Sequence, residues 1–178
     1  GCFDPASDED CLPAARGYNA LPARAVCETV RSSIRLRASR PEEGDIVQER
    51  FLLEELPNGL TLVAQPMETV SSAAMTLSVP AGAVLDPPGG EGAMTVATEW
   101  AMRGAGDRDS RALNDALDAL GCRHHESVRS RHIHFSSSQL GRNLGEVLSI
   151  YADIVLRPRL EDQAFESCRE LALQDLES

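Results

Sequence analysis

The sequence predicts an α+β domain in which helices pack on one face of a mainly antiparallel sheet. Two strand–turn–strand patterns, at residues 51–64 and 122–137, predict antiparallel hairpins. Segments after residue 92 repeat apolar residues at the spacing of a helix. With 178 residues, the chain is long enough to bury a core of its own. The expected order of elements is βββ-α-α-ββ-α-α.

The first three predicted strands precede the first helix. Residues 51–56 lead into Pro57-Asn58-Gly59, where Asn and Gly tolerate the positive φ angles of a tight turn, and residues 60–64 form the returning strand. A third strand at 71–79 is expected to direct four side chains into the core, namely Ala74, Met75, Leu77 and Val79. A loop rich in Pro and Gly then leads to a helix that starts at Ala93-Met94 and ends by Gly104.

The remaining helices follow from capping residues and periodicity. Ser110 or Asp109 is expected to cap a helix that ends at Gly121. After the second hairpin, a helix runs from residue 140 or 141 to Leu156 and is stopped by Pro158. A last helix covers residues 161–176, and its apolar stripe consists of Phe165, Cys168, Leu171, Ala172 and Leu176.

Residues 1–48 differ in composition from residues 49–178 and predict a loop-rich extension ahead of the domain. The extension carries the acidic run Asp8-Glu9-Asp10 and four of the ten prolines. Only residues 23–39 have the potential for regular structure, and their pattern leaves helix and strand both open. We expect the extension to pack on a partner or to tether the domain.

The charge of the chain limits its partners. A formal net charge of -11 and a pI near 4.8 argue against binding nucleic acid or an anionic membrane surface. Basic proteins or peptides are the better expectation. The sequence has no run of eighteen apolar residues, so it predicts no membrane-spanning helix.

Five cysteines, Cys2, Cys11, Cys27, Cys122 and Cys168, include no Cys-x-x-Cys pair, which argues against a zinc ribbon or a thioredoxin-type motif. Gly1-Cys2 suits the lipidated start of a bacterial lipoprotein, and a cloning scar is the alternative. With Cys2 lipidated, Cys11 and Cys27 could form a disulfide in an oxidising compartment. These features favour the bacterial periplasm or outer membrane, with a lipid anchor at Cys2.

All four histidines lie within the second hairpin. If residues 128–130 form its turn, strand alternation places four side chains on one face, namely His124, Glu126, His132 and His134. Pairing of His124 with His134 and of Glu126 with His132 would make a zinc or nickel site. The alternative is a solvated face, because three nearby arginines oppose a cation.

Several short landmarks recur in a fixed order: Leu-Pro-Asn-Gly-Leu at 56–60, Pro-Ala-Gly-Ala at 80–83, Gly-Ala-Met at 92–94, Arg-Gly-Ala at 103–105 and Ala-Leu-Gly at 119–121. This series resembles the pitrilysin/insulinase family of zinc peptidases, which includes the mitochondrial processing peptidase and its non-catalytic relatives. The resemblance covers about residues 51–178. It implies a metallopeptidase-like domain that is partial, either truncated or completed by another chain.

In that family, a His-x-x-Glu-His motif on the first helix binds zinc and supplies the general base. The resemblance places Thr95 and Glu99 at the histidine positions, Thr98 at the glutamate and Asp175 near the third ligand. A threonine hydroxyl is a poor zinc ligand and cannot act as a general base near neutral pH. The resemblance therefore implies vestigial positions, with no catalytic residues and no cofactor, where two carboxylates would favour a weak site for a hard cation.

Three functions follow as hypotheses. The first is a catalytically inactive family member that acts as a structural or partner subunit of a larger assembly, with another peptidase-family chain among its partners. The second is a metal-dependent hydrolase that uses the histidine hairpin or a site rebuilt from Glu99 and Asp175. The third is a module that binds peptides without cleaving them. The family's respiratory-complex relatives make a mitochondrial inner-membrane complex the alternative location.

Overall fold

A computed structural model describes the backbone of residues 51–177 and the side chains of residues 51–174. The extension at residues 1–48, including Cys2 and the Cys11–Cys27 disulfide, lies outside these residues and stays a prediction. The α+β fold is confirmed, because four helices accompany strands that all pair antiparallel. None of the helices in the described part of the chain is long and apolar enough to cross a membrane.

The elements follow the expected order, with one additional short strand pair after the first helix. The strands are β1 Leu52–Glu55, β2 Thr61–Ala64, β3 Ser72–Val79, β4 Gly104–Ala105, β5 Arg108–Asp109, β6 Arg123–Val128 and β7 Ile133–Leu140. The helices are α1 Ala93–Ala101, α2 Ser110–Ala119, α3 Leu144–Leu156 and α4 Asp162–Glu177, with 3₁₀ turns at Ala83–Leu85 and Gly141–Asn143. The strands form a three-stranded sheet in the order β3-β7-β6 and two separate pairs, β1-β2 and β4-β5.

The β1–β2 hairpin closes as its sequence predicts, although only Gly59 adopts a positive φ, of 82°. The amide of Gly59 donates to the carbonyl of Leu56 at 2.8 Å, and the amide of Leu56 donates to the carbonyl of Leu60 at 2.8 Å. The Asn58 side chain accepts from the Leu60 amide at 3.1 Å. Pro57 therefore opens a three-residue loop in which Gly59 takes the left-handed position.

The three-stranded sheet buries one face under the helices. Ile133 and Phe135 of β7 are buried, and their partners Val79 and Leu77 on β3 face the same side. Ala73, not Ala74, belongs to this inner face, which corrects the expected core residue by one position. Helix residues complete the core, and the largest fully buried ones are Leu113, Leu117, Val147, Ile150, Tyr151, Ile154 and Cys168.

A carboxylate on α3 anchors the β4–β5 pair. Asp153 accepts from Arg157 at 2.7 Å and from Arg108 at 3.4 Å, and its side chain is only 10% exposed. The amide of Gly106, between β4 and β5, donates to the carbonyl of Arg157 at 2.9 Å. Asp153 thus joins α3 to the segment that follows α1.

Replacing Asp153 with Asn is expected to lower the free energy of unfolding by about 1–2 kcal/mol, because two guanidinium groups lose a charged acceptor in a buried position. Urea denaturation measures the change. Asp115→Asn is the matched control, since its 3.9 Å pair with Arg111 is widely exposed and contributes little. Equal unfolding curves for the two variants would contradict the anchoring role.

Candidate functional site

The start of α1 is fixed by a carboxylate from the preceding loop. One oxygen of Asp86 accepts from the Met94 amide at 2.7 Å, and the other accepts from the Gly92 amide at 2.9 Å. These bonds satisfy two amides at the helix start, where no intrahelical partner exists. The sequence pattern predicts only a loop at Asp86. Helix caps are recognised from sequence when the capping residue lies within about three residues of the amide it binds, whereas Asp86 precedes Gly92 by six residues and Met94 by eight.

Thr95, Thr98 and Glu99 share one face of α1, as their spacing requires. Thr98 is buried, and its hydroxyl donates to the Met94 carbonyl at 2.7 Å. The carboxylate of Glu99 lies 3.6 Å from the guanidinium of Arg103, one turn further along the helix. The hydroxyl therefore serves the helix backbone, and the carboxylate already has a cation beside it.

These side chains do not fit a zinc ion at this face. Zinc in proteins takes thiolate, imidazole or carboxylate ligands, and the face offers a bonded hydroxyl and an ion-paired carboxylate. The backbone of Asp175 lies in α4, as predicted, while its side chain is outside the described residues. Trp100 holds α1 against α4, since its indole N–H donates to the Glu161 carbonyl at 2.9 Å and its ring centre is 5.0 Å from that of Phe165.

The histidine hairpin forms, but its register differs from the expected one by three residues. Val128 pairs with Ile133 and Glu126 with Phe135, so the connecting turn is Arg129–His132. His124 faces Ser137 and not His134. Because side chains alternate along a strand, an odd shift moves one strand's residues to the opposite face. The predicted four-residue metal site is therefore wrong in its geometry.

The register divides the candidate ligands between two faces. His124 and Glu126 share the inner face, where the imidazole Nδ1 lies 2.9 Å from the carboxylate. His134 lies on the outer face opposite Ser78, and the ring centre of His132, in the turn, is 6.1 Å from that of His134. Among residues 51–174, no three His, Cys, Asp or Glu side chains gather closely enough to hold a metal ion.

The inner face is polar at one end, beneath α3, a feature that the sequence reasoning missed. Within residues 51–174, Ser137 Oγ, Gln139 Nε2 and Tyr151 OH are buried without a hydrogen-bond partner. Burial raises the pKa of the Cys122 thiol. Burial also raises the pKa of Tyr151, with smaller contributions from Glu126 and Cys122. The sequence signal for this polar region was Ser-Ser-Ser-Gln at residues 136–139, in a strand where every second residue is normally apolar.

Two surfaces of the described chain are open to other molecules. Strand β6 is an edge of the three-stranded sheet and contacts α1. On the β1–β2 hairpin, Leu53 and Val63 lie opposite each other and are 76% and 65% exposed. An edge strand accepts a further strand, and an exposed apolar pair favours burial against a partner.

Comparison with known proteins gives one consistent result. The model of the insulinase family, peptidase family M16, matches residues 61–178. An uncharacterized zinc protease of Rickettsia bellii (strain RML369-C) is 25% identical over 130 residues, which are 73% of this chain and 32% of that protein. The crystal structure of pitrilysin superposes on 73% of the chain with a TM-score of 0.63 and 20% identity. The chain spans about a third of the Rickettsia protein and 14% of the pitrilysin chain.

Proposed function

The chain belongs to the insulinase family, peptidase family M16, and from this premise we propose that it is a member that binds another polypeptide without cleaving it. It acts as a partner subunit, and a second peptidase-family chain is the partner that the family suggests. The observation that carries the proposal is the state of α1, where Thr98 is bonded to the helix backbone and Glu99 is paired with Arg103.

The chemistry of α1 supports the loss of cleavage. Zinc-dependent hydrolysis needs a metal-bound water and a group that takes its proton. A buried threonine hydroxyl that already donates to Met94 can do neither. The guanidinium of Arg103 beside Glu99 also disfavours a cation at this position through like charge.

The β1–β2 hairpin supports the binding of a partner. A two-stranded hairpin has little stability alone, and this one exposes Leu53 and Val63 on one face. Burying such a pair against another protein would remove apolar surface from water. The net charge of -11 favours a partner with a basic surface.

A second candidate is peptide binding along β6. Among the described strands β6 has a neighbour on one side only, so its other side offers backbone amides and carbonyls to an extended peptide, which would add as a further strand. The edge lies beside α1, so a bound peptide would pass the positions where active relatives place their metal. Because those positions hold Thr and Glu here, the peptide would remain intact.

One experiment tests the proposal. The protein is incubated with Zn²⁺ and a library of basic and neutral peptides, and mass spectrometry follows cleavage. We expect every peptide to remain intact, in the wild type and in the Glu99→Ala control alike. Cleavage by the wild type that disappears in Glu99→Ala would overturn the proposal, because it would show that α1 still supports catalysis.

The same samples distinguish the two modes of binding. Light scattering after size exclusion reports self-association, which we expect to fall in Leu53→Arg and not in Ala119→Arg, which adds the same charge at an exposed position of α2. Retention of intact peptides by a monomeric wild type would favour the peptide-binding module. A monomer that retains no peptide at any concentration would contradict both modes.

A further inference from the structure

The outer face of the three-stranded sheet brings two imidazoles together. His134 stands on β7 directly opposite Ser78 of β3, and His132 comes two residues earlier, at the end of the turn that precedes β7. Their ring centres are 6.1 Å apart, and the ring planes are tilted by 33°. We propose that His132 and His134 form a two-imidazole site for a divalent transition-metal ion such as Ni²⁺ or Zn²⁺. This site is separate from α1 and goes beyond the proposed function.

The hydrogen bond between His134 and Ser78 leaves the second ring nitrogen of His134 available as a metal ligand. His134 Nδ1 lies 2.9 Å from the hydroxyl oxygen of Ser78. When Nδ1 carries the proton and donates it to that oxygen, Nε2 holds the free lone pair that a metal requires. Metal-binding histidines commonly donate their second ring nitrogen in this way, which fixes both the tautomer and the orientation of the ring.

The backbone that carries His132 is held in place from two sides. The amide of Arg129 donates to the carbonyl of His132 at 2.8 Å, which closes the turn. The amides of Ala83 and Val84 donate to the carbonyls of Arg129 and Ser130 at 3.0 and 2.9 Å. A ligand on a fixed backbone loses less conformational entropy on binding than one on a free loop.

The distance between the rings suits a shared ion. Metal–nitrogen bonds of about 2.0–2.1 Å in tetrahedral geometry put two imidazole centres roughly 5 Å apart, so the rings need to approach by only about 1 Å. Rotation of the exposed His132 side chain provides this movement. Water would complete the shell, and because the neighbouring Arg129 and Arg131 are exposed, solvent and salt screen their repulsion of the ion. Imidazole ligands suit Ni²⁺, Cu²⁺ and Zn²⁺, whereas thiolates select softer ions. Because the chain has five cysteines, Ni²⁺ distinguishes a histidine site from a cysteine site better than Zn²⁺ does.

Isothermal titration with Ni²⁺ alone tests the proposal on the whole 178-residue chain. The wild type is expected to bind one ion at this site. His132→Ala and His134→Ala are each expected to weaken the affinity at least about tenfold, because a single imidazole remains. Ser78→Ala is expected to weaken it by about tenfold through loss of the bond that orients His134.

His125→Ala is the matched control, because His125 is exposed on the same outer face of the hairpin but is paired with Ser136. We expect its Ni²⁺ affinity to equal that of the wild type. Unchanged melting temperatures confirm that the variants fold, and His132, in an exposed turn, is the position least able to disturb folding. The proposal fails if the wild type binds no Ni²⁺, or if affinity survives both His132→Ala and His134→Ala. Neither failure bears on cleavage at α1.

Discussion

Zinc binding at α1 is expected to appear when Thr95 and Glu99 are both replaced with histidine. The two positions are four residues apart on one helical face, so both imidazoles would point to the same ion. Removing the Glu99 carboxylate also ends its pairing with Arg103. The affinity for Zn²⁺ is expected to rise by roughly a hundredfold or more, since two imidazole nitrogens replace a neutral hydroxyl and an ion-paired carboxylate.

Zinc binding at His132 and His134 would obscure binding at α1, so the variant also carries His132→Ala, which removes one of these two ligands. Titration with Zn²⁺ then compares it with the same background bearing Thr95→His and Ala97→His. That control has the same two imidazoles, but their spacing of two residues places them on different sides of the helix. Equal affinities for the two variants would show that α1 does not present its residues 95 and 99 to a common ion.

The substitution Gly82→Ala is expected to cause the largest loss of stability, about 2–4 kcal/mol. A Cβ at this position would lie 2.4 Å from the Arg129 carbonyl oxygen and 2.5 Å from the backbone nitrogen of Arg131. These are main-chain atoms, so the loop and the hairpin turn must separate. The hydrogen bonds from Ala83 and Val84 to the turn would then weaken or break.

Thermal and urea unfolding measure this effect, and Gly59→Ala is the control. Gly59 also lies in a hairpin loop, but the space around its missing Cβ is open and only its φ of 82° opposes a side chain. That conformation costs roughly 1–2 kcal/mol in a non-glycine residue. A loss for Gly82→Ala no greater than that for Gly59→Ala would show that the close approach to the turn can relax.

Local sequence signals were enough to predict the elements of the fold. Periodicity and caps located all four helices, and Asp109 caps α2 by accepting from the Ala112 amide at 2.8 Å. Gly121, with a φ of 62°, follows the end of that helix as expected. The pairing of strands was harder to predict than the helices, because the register of β6 and β7 depends on which residues form the turn between them. Residues 128–132 contain no Gly, Asn or Pro to mark it.

The sequence predicted the helix that carries Thr95, Thr98 and Glu99, but not the contacts of these side chains. The landmark spacing located Thr95, Thr98 and Glu99 on α1, and the structure places them on one face. The pairing of Glu99 with Arg103 follows a helical spacing that the sequence already contained. The bond between Ser78 and His134 joins residues 56 positions apart, so only the register of the sheet reveals it. The same holds for the buried polar group of Ser137, Gln139 and Tyr151.

The two bonds from Asp86 to the start of α1 determine the angular position of every later residue on that helix. Each residue advances an α-helix by about 100°, so one residue inserted after Met94 would rotate Thr98 and Trp100 away from their present neighbours. An insertion between Asp86 and Gly92 would instead be absorbed by the loop. Packing therefore constrains the length of the segment from Met94 to Trp100. This constraint does not depend on which side chains occupy positions 95, 98 and 99.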